Sequence, residues 1–119
     1  MQSLIEARIH TLFSTIDSKD SAGFVGFLTE NCSFRFGNLE PVCGSENIRN
    51  FVAAFFDSIQ GLQHQITDVW RTDNSLGCHG MVTYTRHDQS LLRVPFAVIL
   101  REIDGLFSEY LIFSDASSL

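Results

Sequence analysis

The sequence predicts an α+β fold in which three N-terminal helices pack on a curved, mostly antiparallel sheet. Two patterns carry this prediction. Apolar residues recur at helical spacing over most of the chain before Gly61, and beyond it they recur at the period of two that strands require. Helices followed by a run of antiparallel strands are typical of the α+β class. With 119 residues the chain is expected to form one domain, 1–119.

The first two helices are predicted from apolar spacing and capping residues. Residues 2–17 repeat leucine, isoleucine and phenylalanine every three to four positions, as a helix with one buried face does. A second helix is expected to begin at Asp20 or Ser21, since either side chain can cap it. Phe27 and Leu28 are placed on the apolar side of that helix.

A short β region is predicted to separate the second helix from the third. Residues 32–38 alternate polar and apolar side chains, and 39–44 form a weaker strand that Pro41 restricts to a sheet edge. The third helix, 45–61, has the clearest apolar face. Ser45 is its predicted cap and Gly61 its predicted end.

Four successive strands are predicted after Gly61. Turn residues separate them, and Asp104–Gly105 is the strongest hairpin signal. The last two strands are apolar on both faces, which predicts that helices cover one face and a partner subunit the other. The predicted strands cover 62–72, 76–86, 92–103 and 107–114.

The charge of the chain restricts its partners. The formal net charge is −6 with only 8 basic residues, and these do not cluster. Because nucleic acids require several cations on one surface, neither nucleic-acid binding nor binding to an anionic membrane is expected. No segment has the pattern of a signal peptide or of a membrane span, so a cytoplasmic location is predicted.

The chain is rich in phenylalanine and poor in other aromatic residues. Eleven phenylalanines stand against two tyrosines and one tryptophan, and phenylalanine suits a dry core or the lining of an apolar pocket. The three cysteines are an odd number without paired spacing, and they are interpreted as buried, reduced thiols. No spacing of ligand residues predicts a metal site, and no cofactor is predicted.

Four segments resemble one known family along most of the chain. They are GSENIRNFVAAFF, LQHQITDV, GMVTYTR and the closing IDGLFSEYLIFSDASSL. Together they resemble the SnoaL-like branch of the nuclear-transport-factor-2-like (NTF2-like) superfamily, which includes relatives of ketosteroid isomerase and polyketide cyclases. This resemblance implies a conical homodimer with an open-ended pocket between the helices and the concave sheet.

The resemblance also implies departures from the ketosteroid isomerases. The position of their catalytic base falls near Phe36, and that of their protonated oxyanion-hole acid falls on Ala97. Neither side chain exchanges protons, so a classical ketosteroid isomerase is not expected. Asp115 is the acid that the resemblance favours, since SnoaL-like cyclases carry one on the last strand. The apolar residues before it would raise its pKa, unless Asp115 merely ends the strand in solvent.

Other candidate catalytic residues come from the predicted strands. His64 and His79 lie where the sheet should curve around the pocket, and histidine titrates near neutral pH. Tyr84 could donate a hydrogen bond to a developing oxyanion. Each of these side chains could equally be a hydrogen-bonding partner within the sheet. The predicted pocket lining is Phe34, Phe36, Phe55, Trp70, Phe96, Tyr110 and Phe113.

Two functions remain open from the sequence. In the first, a small-molecule pocket carries out acid–base chemistry on an apolar carbonyl compound without a cofactor, as an isomerase, cyclase or hydratase. In the second, the fold is a non-catalytic ligand-binding or assembly module whose pocket is filled by phenylalanine. A cavity of about 300 Å³ or more with convergent polar groups favours the first.

Overall fold

A computed structural model describes residues 4–119 of the chain. Within this range, three helices occur in the first half and six strands form one mixed sheet. The helices are α1 (Leu4–Asp17), α2 (Ser21–Val25) and α3 (Ser45–Asp57). The strands are β1 (Leu28–Phe36), β2 (Val42–Cys43), β3 (Gly61–Arg71), β4 (Ser75–Thr85), β5 (Leu91–Ile103) and β6 (Leu106–Ser114).

The sheet is antiparallel except at one pair of strands. Its order is β2-β1-β6-β5-β4-β3, and β1 runs parallel to β6. The fold class is therefore confirmed: helices pack on a curved, mostly antiparallel sheet. The weak strand β2 lies at an edge, as its proline predicted. In the β5–β6 hairpin, Asp104 and Gly105 have φ values of 52° and 83°, the positive values that a tight two-residue turn requires.

The helices cover one face of the sheet, called here the inner face, and bury a continuous core against it. Ile9 and Leu12 of α1 are fully buried, and so is Ile48 of α3. The strands contribute alternate residues to this core because successive side chains point to opposite faces. Val82, Tyr84, Val98, Leu100 and Tyr110 are among them, and none is more than 3% exposed.

The second helix is shorter than its apolar pattern predicted. Asp20 caps it, accepting a hydrogen bond from the Gly23 N–H at 2.9 Å, but the helix ends at Val25. Phe27 already takes part in the sheet, since its carbonyl accepts from the Phe107 N–H at 2.8 Å. The prediction that Phe27 and Leu28 are helical was therefore wrong, because pairing with β6 overrides local spacing.

The N-cap residue of the third helix lies one position before the predicted cap. Gly44, with a φ of 91°, is the N-cap residue and makes no side-chain capping bond. Its carbonyl accepts the first helical hydrogen bond from Ile48 N–H at 2.9 Å. Ser45 therefore lies inside the helix and is not the cap that the sequence predicted.

The strands β3 and β4 approach each other closely where β3 carries a bulge. The register shifts between Ile66 and Asp68, opposite Gly80 of β4. A Cβ atom at Gly80 would lie 1.8 Å from the backbone oxygen of Gln65, so only glycine fits this position. The bulge bends the edge strand, as extra residues in a ladder do.

The outer face of the sheet, opposite the helices, is apolar in its central strands and holds exposed aromatic residues. One row across the strands consists of Trp70, Gly77, Ile99 and Leu111, and the next consists of Asp68, His79, Ala97 and Phe113. The indole of Trp70 lies over Gly77, where an added Cβ would be 2.2 Å from the ring.

One carboxylate connects α1 with two strands. Glu102 of β5 accepts from Arg71 at 2.6 Å and also pairs with Arg8 of α1. Burial opposes its charge, but the hydrogen bonds and positive charges of Arg71 and Arg8 outweigh this and lower the pKa of Glu102. The carboxylate is 14% exposed, so solvent screens these pairs only in part.

Glu102→Gln is expected to lower the free energy of unfolding by about 2 kcal/mol at pH 7, because hydrogen bonds to charged groups contribute roughly 1.5–3 kcal/mol. A carboxyl with a lowered pKa stabilises the fold above its unfolded pKa of about 4.3 and loses this contribution as the pH falls through the folded pKa. The difference between wild type and variant should therefore shrink below pH 4. Urea unfolding at several pH values measures it.

The exposed pair Arg101–Glu109 is the matched control. Its atoms are 2.9 Å apart, but the side chains are 53% and 35% exposed. Glu109→Gln should cost less than about 1 kcal/mol, as exposed ion pairs do. Equal losses from both variants would contradict the role assigned to Glu102.

Candidate active site

A small apolar cavity lies between the helices and the inner face of the sheet. Its free volume is about 60 Å³, and 8 of its 18 lining residues are phenylalanine. None of those 18 residues is aspartate, glutamate, lysine or arginine. The polar side chains at the cavity are His64, Tyr84, Tyr110 and Ser114. Any chemistry in this cavity therefore depends on neutral or titrating groups.

His64 is positioned by a carboxylate at the end of the first helix. Its Nδ1 lies 2.6 Å from Oδ1 of Asp17, and its backbone N–H donates to Oδ2 of the same carboxylate at 2.9 Å. Because an ionised carboxylate only accepts hydrogen bonds, Nδ1 carries the proton. In the neutral form of the ring, Nε2 then carries the lone pair.

Aromatic rings enclose the imidazole on two sides. The ring of Phe13 lies 4.7 Å from it between centroids, and that of Phe96 lies 4.9 Å away edge-on. The side chain of His64 is only 9% exposed, whereas that of Asp17 is 23% exposed. In the His64–Asp17 pair, the imidazole thus lies in the apolar interior and the carboxylate lies nearer the protein surface.

The two tyrosines of the cavity are neutral hydrogen-bond donors. Burial raises the pKa of Tyr84 to about 12. Burial, followed by the nearby Cys78 and Cys32, raises the pKa of Tyr110 well above its usual value. Within residues 4–119 the fully enclosed side-chain polar atom without a hydrogen-bond partner is Oγ1 of Thr29, so neither phenol is enclosed without a partner. Both tyrosines line the cavity.

Ser114 contributes less to the site. Its hydroxyl donates to the carbonyl of Pro95 at 2.9 Å, so its proton is already used. The other polar side chains that line the cavity are the His64 imidazole and the two phenols.

Most residues predicted to line the pocket lie together at this cavity. The structure places His64 and Tyr84 there, along with five of the predicted apolar and aromatic lining residues. Those five are Phe34, Phe36, Phe55, Phe96 and Tyr110.

Asp115 lies outside the cavity, contrary to the prediction. Its carboxylate is exposed and accepts from the Ser117 N–H at 3.0 Å. Hydrogen bonds from the side chain and backbone of Ser117 lower its pKa, where the prediction required a raised one. The strand ends at Ser114, so the apolar residues before Asp115 do not surround it.

Three further predicted site residues lie on the outer face. His79 is 49% exposed and its Nε2 lies 3.0 Å from Oδ2 of Asp68. Trp70 is 41% exposed and Phe113 is 56% exposed. Their placement at the pocket was wrong, because residues of one strand alternate between the two faces. Ala97 also lies on the outer face, and its inward neighbours Phe96 and Val98 carry no acid.

Sequence reasoning missed Asp17. Its contact with His64 spans 47 residues, so no local pattern reveals it. A weaker signal was present: an acidic residue in the last turn of a helix is unfavourable to the helix dipole, and α1 has no basic residue there. An aspartate at such a position calls for a tertiary partner.

Among residues 4–119, no group of three or more histidine, cysteine, aspartate or glutamate side chains is arranged to hold a metal ion. No helix in this range is long and apolar enough to span a membrane.

Comparison with known proteins identifies the family. The SnoaL-like domain model matches residues 9–110. A comparison with curated protein sequences finds no match. A putative SnoaL-like polyketide cyclase from Jannaschia sp. is 19% identical with a TM-score of 0.76, over 99% of this chain and 92% of its own.

Two other solved structures share the fold at lower identity. A putative polyketide cyclase from Xanthomonas campestris is 14% identical, with a TM-score of 0.79 over 92% of this chain and 89% of its own. A Catenulispora acidiphila protein with a ketosteroid isomerase-like fold, solved with trimethylamine, is 13% identical. Its TM-score is 0.84, over 92% of this chain and 86% of its own. Since the family model covers most of the sequence, the chain belongs to the SnoaL-like domain family.

Proposed function

We propose that this protein binds a small apolar carbonyl compound and transfers a proton on it, with His64 as the base and no cofactor. The observation that carries the proposal is the imidazole of His64, enclosed by aromatic rings and held by Asp17. An imidazole fixed in this way is a suitable general base near neutral pH.

The proposed step uses groups already at the cavity. Nε2 of His64 takes a proton from the carbon next to the carbonyl, the C–H electron pair moves to form the enolate, and negative charge develops on the oxygen. Tyr84, neutral because of its raised pKa and paired in the sheet with Leu62, two residues before His64, can donate a hydrogen bond to that oxygen. Asp17 stabilises the imidazolium that forms.

The fate of the enolate decides the reaction class. Return of the proton to another carbon gives isomerisation, and attack of the enolate carbon on a second carbonyl gives cyclisation. The description of two structural neighbours as putative polyketide cyclases supports this range of reactions.

The test is proton exchange in heavy water, which needs no knowledge of the product. The wild-type protein is incubated in D₂O with a panel of neutral ketones and enones, and mass spectrometry follows deuterium at the α carbon. Thermal shift on the same panel measures binding separately. Protein-dependent deuterium incorporation supports the proposal, and binding without incorporation contradicts the catalytic step.

A second candidate function is a non-catalytic binding or assembly module. The free volume of about 60 Å³ favours it, since small-molecule sites commonly measure about 300–1,000 Å³. The same assays decide between the two: a module would show no deuterium incorporation with any compound.

We propose further that the protein is a homodimer formed through the outer face of the sheet. Apolar side chains of the two rows across β3 to β6 occupy its centre, and a two-fold interface requires a self-complementary surface of this kind. Polar and charged residues such as Arg101 and Glu109 lie at its margin, as is usual for interfaces.

Ile99→Arg is expected to convert the dimer into a 13.4 kDa monomer, because it places a charge in the centre of that face. Light scattering measures the mass, and the single tryptophan, Trp70, should shift its emission to longer wavelength as it becomes exposed. Leu4→Arg, at a 91% exposed site on α1 on the other side of the sheet, is the control. A wild-type protein that is monomeric at micromolar concentration would contradict the dimer.

A further inference from the structure

A groove on the surface adjoins the cavity. It has a volume of about 490 Å³ and lies between α3, the turn after β1 and the segment 115–119. Leu39, Ser58 and Leu119 are among its lining residues. The groove is therefore much larger than the cavity and mixes apolar with polar groups.

Three phenylalanines separate the groove from the cavity. Phe36, Phe51 and Phe55 line both spaces, and all three are half-buried. The rings of Phe36 and Phe55 lie 5.5 Å apart between centroids. Phe55 also contacts Tyr84 edge-on at 5.9 Å, so it stands between a cavity hydroxyl and the groove.

The outer wall of the groove is fixed by polar contacts. Arg86 donates to the carbonyl of Ser118 at 2.8 Å, Leu119 N–H donates to Ala116 at 2.9 Å, and Asp115 accepts from Ser117. The three phenylalanine side chains pack against the core without hydrogen bonds, and a phenylalanine side chain moves by rotation about two bonds.

We propose that the groove and the cavity are the two halves of one ligand site, with Phe36, Phe51 and Phe55 as an aromatic gate that opens to an elongated, neutral, apolar carbonyl compound. This inference rests on the proposed function, and it places the carbonyl end of the ligand near His64. Joined, the two spaces fall within the range of about 300–1,000 Å³ that small-molecule sites occupy.

The charges of the side chains that line the groove and the cavity exclude an anionic ligand. No charged residue is among those that line the cavity, and the one ionisable residue that lines the groove is Asp115. Its lowered pKa keeps it anionic at neutral pH. A carboxylate or sulfonate would lose hydration in the cavity without gaining a cation.

The gate is tested by the kinetics of a fluorescent ligand. The probe is prodan, a neutral and elongated naphthyl ketone, followed by stopped-flow fluorescence. In the wild type the association rate should level off at high probe concentration, because opening becomes limiting. If the open state is populated at roughly 0.1–10%, Phe55→Ala should raise the association rate about tenfold or more. The association rate of the Phe55→Ala variant should also increase linearly with probe concentration.

Two comparisons keep the gate and the proposed function distinguishable. Phe55→Leu serves if the alanine variant fails to fold, and Leu91→Ala, at a 64% exposed site on β5, should leave the rate unchanged. Prodan binding at equal rates in wild type and Phe55 variants would overturn the gate and leave the proposed function standing. No binding by any variant would overturn both, and equal affinity for the anionic anilinonaphthalene sulfonate would overturn the selection of neutral ligands.

Discussion

Gly80→Ala is expected to lower the free energy of unfolding by about 3 kcal/mol or more, at or above the upper end of what overpacking costs. The new methyl group would lie 1.8 Å from the Gln65 oxygen and 3.1 Å from the Ile66 Cα. Both atoms belong to the backbone of β3 at its bulge, so no rotamer change relieves the clash. Chemical denaturation of wild type and variant measures the effect.

Gly77→Ala is the matched control for this prediction. A Cβ there meets the indole of Trp70, with the closest atom at 2.2 Å, and an exposed side chain can move aside. The loss should stay below about 1.5 kcal/mol, the level of well-tolerated packing changes. A shift in tryptophan emission should accompany it. If the two variants were equally stable, the close approach of β3 and β4 at Gly80 would be refuted.

His64→Gln is expected to reduce protein-dependent deuterium exchange into a bound ketone by about 10²- to 10⁴-fold, the usual contribution of a positioned acid or base. Glutamine keeps a polar group that can donate to Asp17, but it has no basic nitrogen. Ligand affinity should change little, because the cavity remains of similar size. Mass spectrometry gives the exchange rate, and thermal shift gives the affinity.

His79→Gln provides the comparison, since this histidine lies on the outer face with Asp68. Its exchange rate should equal that of the wild type. Asp17→Asn should lower the exchange rate without abolishing binding, as expected of a positioning residue that acts through His64. An unchanged rate in His64→Gln would eliminate His64 as the base.

The strands of the fold could be predicted closely from the sequence, but their faces could not. The period of two placed the four long strands within one residue of their observed ends. The last strands are apolar on both sides, however, and such a pattern does not indicate which residues point inward. This ambiguity explains why Phe113 was assigned to the pocket, whereas Phe96 and Tyr110 are there.

The site itself depends on contacts that a sequence does not display. His64 could be chosen as a titrating side chain in a strand, but its partner Asp17 belongs to a helix far away in the chain. Asp115 was favoured by resemblance to a family whose members carry an acid on the last strand. In this chain the strand ends one residue before that acid, which leaves it in solvent.

The parallel pairing of β1 with β6 has a consequence for how the chain folds during synthesis. Leu28 pairs with Phe107, and Phe34 pairs with Tyr110. The backbone of β1 therefore cannot form its hydrogen bonds to β6 until the last strand has been synthesised. Contacts so distant in sequence slow folding. Until the last strand leaves the ribosome, the phenylalanine side chains of β1 and α3 that pack against β6 remain exposed to solvent. We infer that the nascent chain forms a partly folded, aggregation-prone intermediate, which molecular chaperones would protect from aggregation.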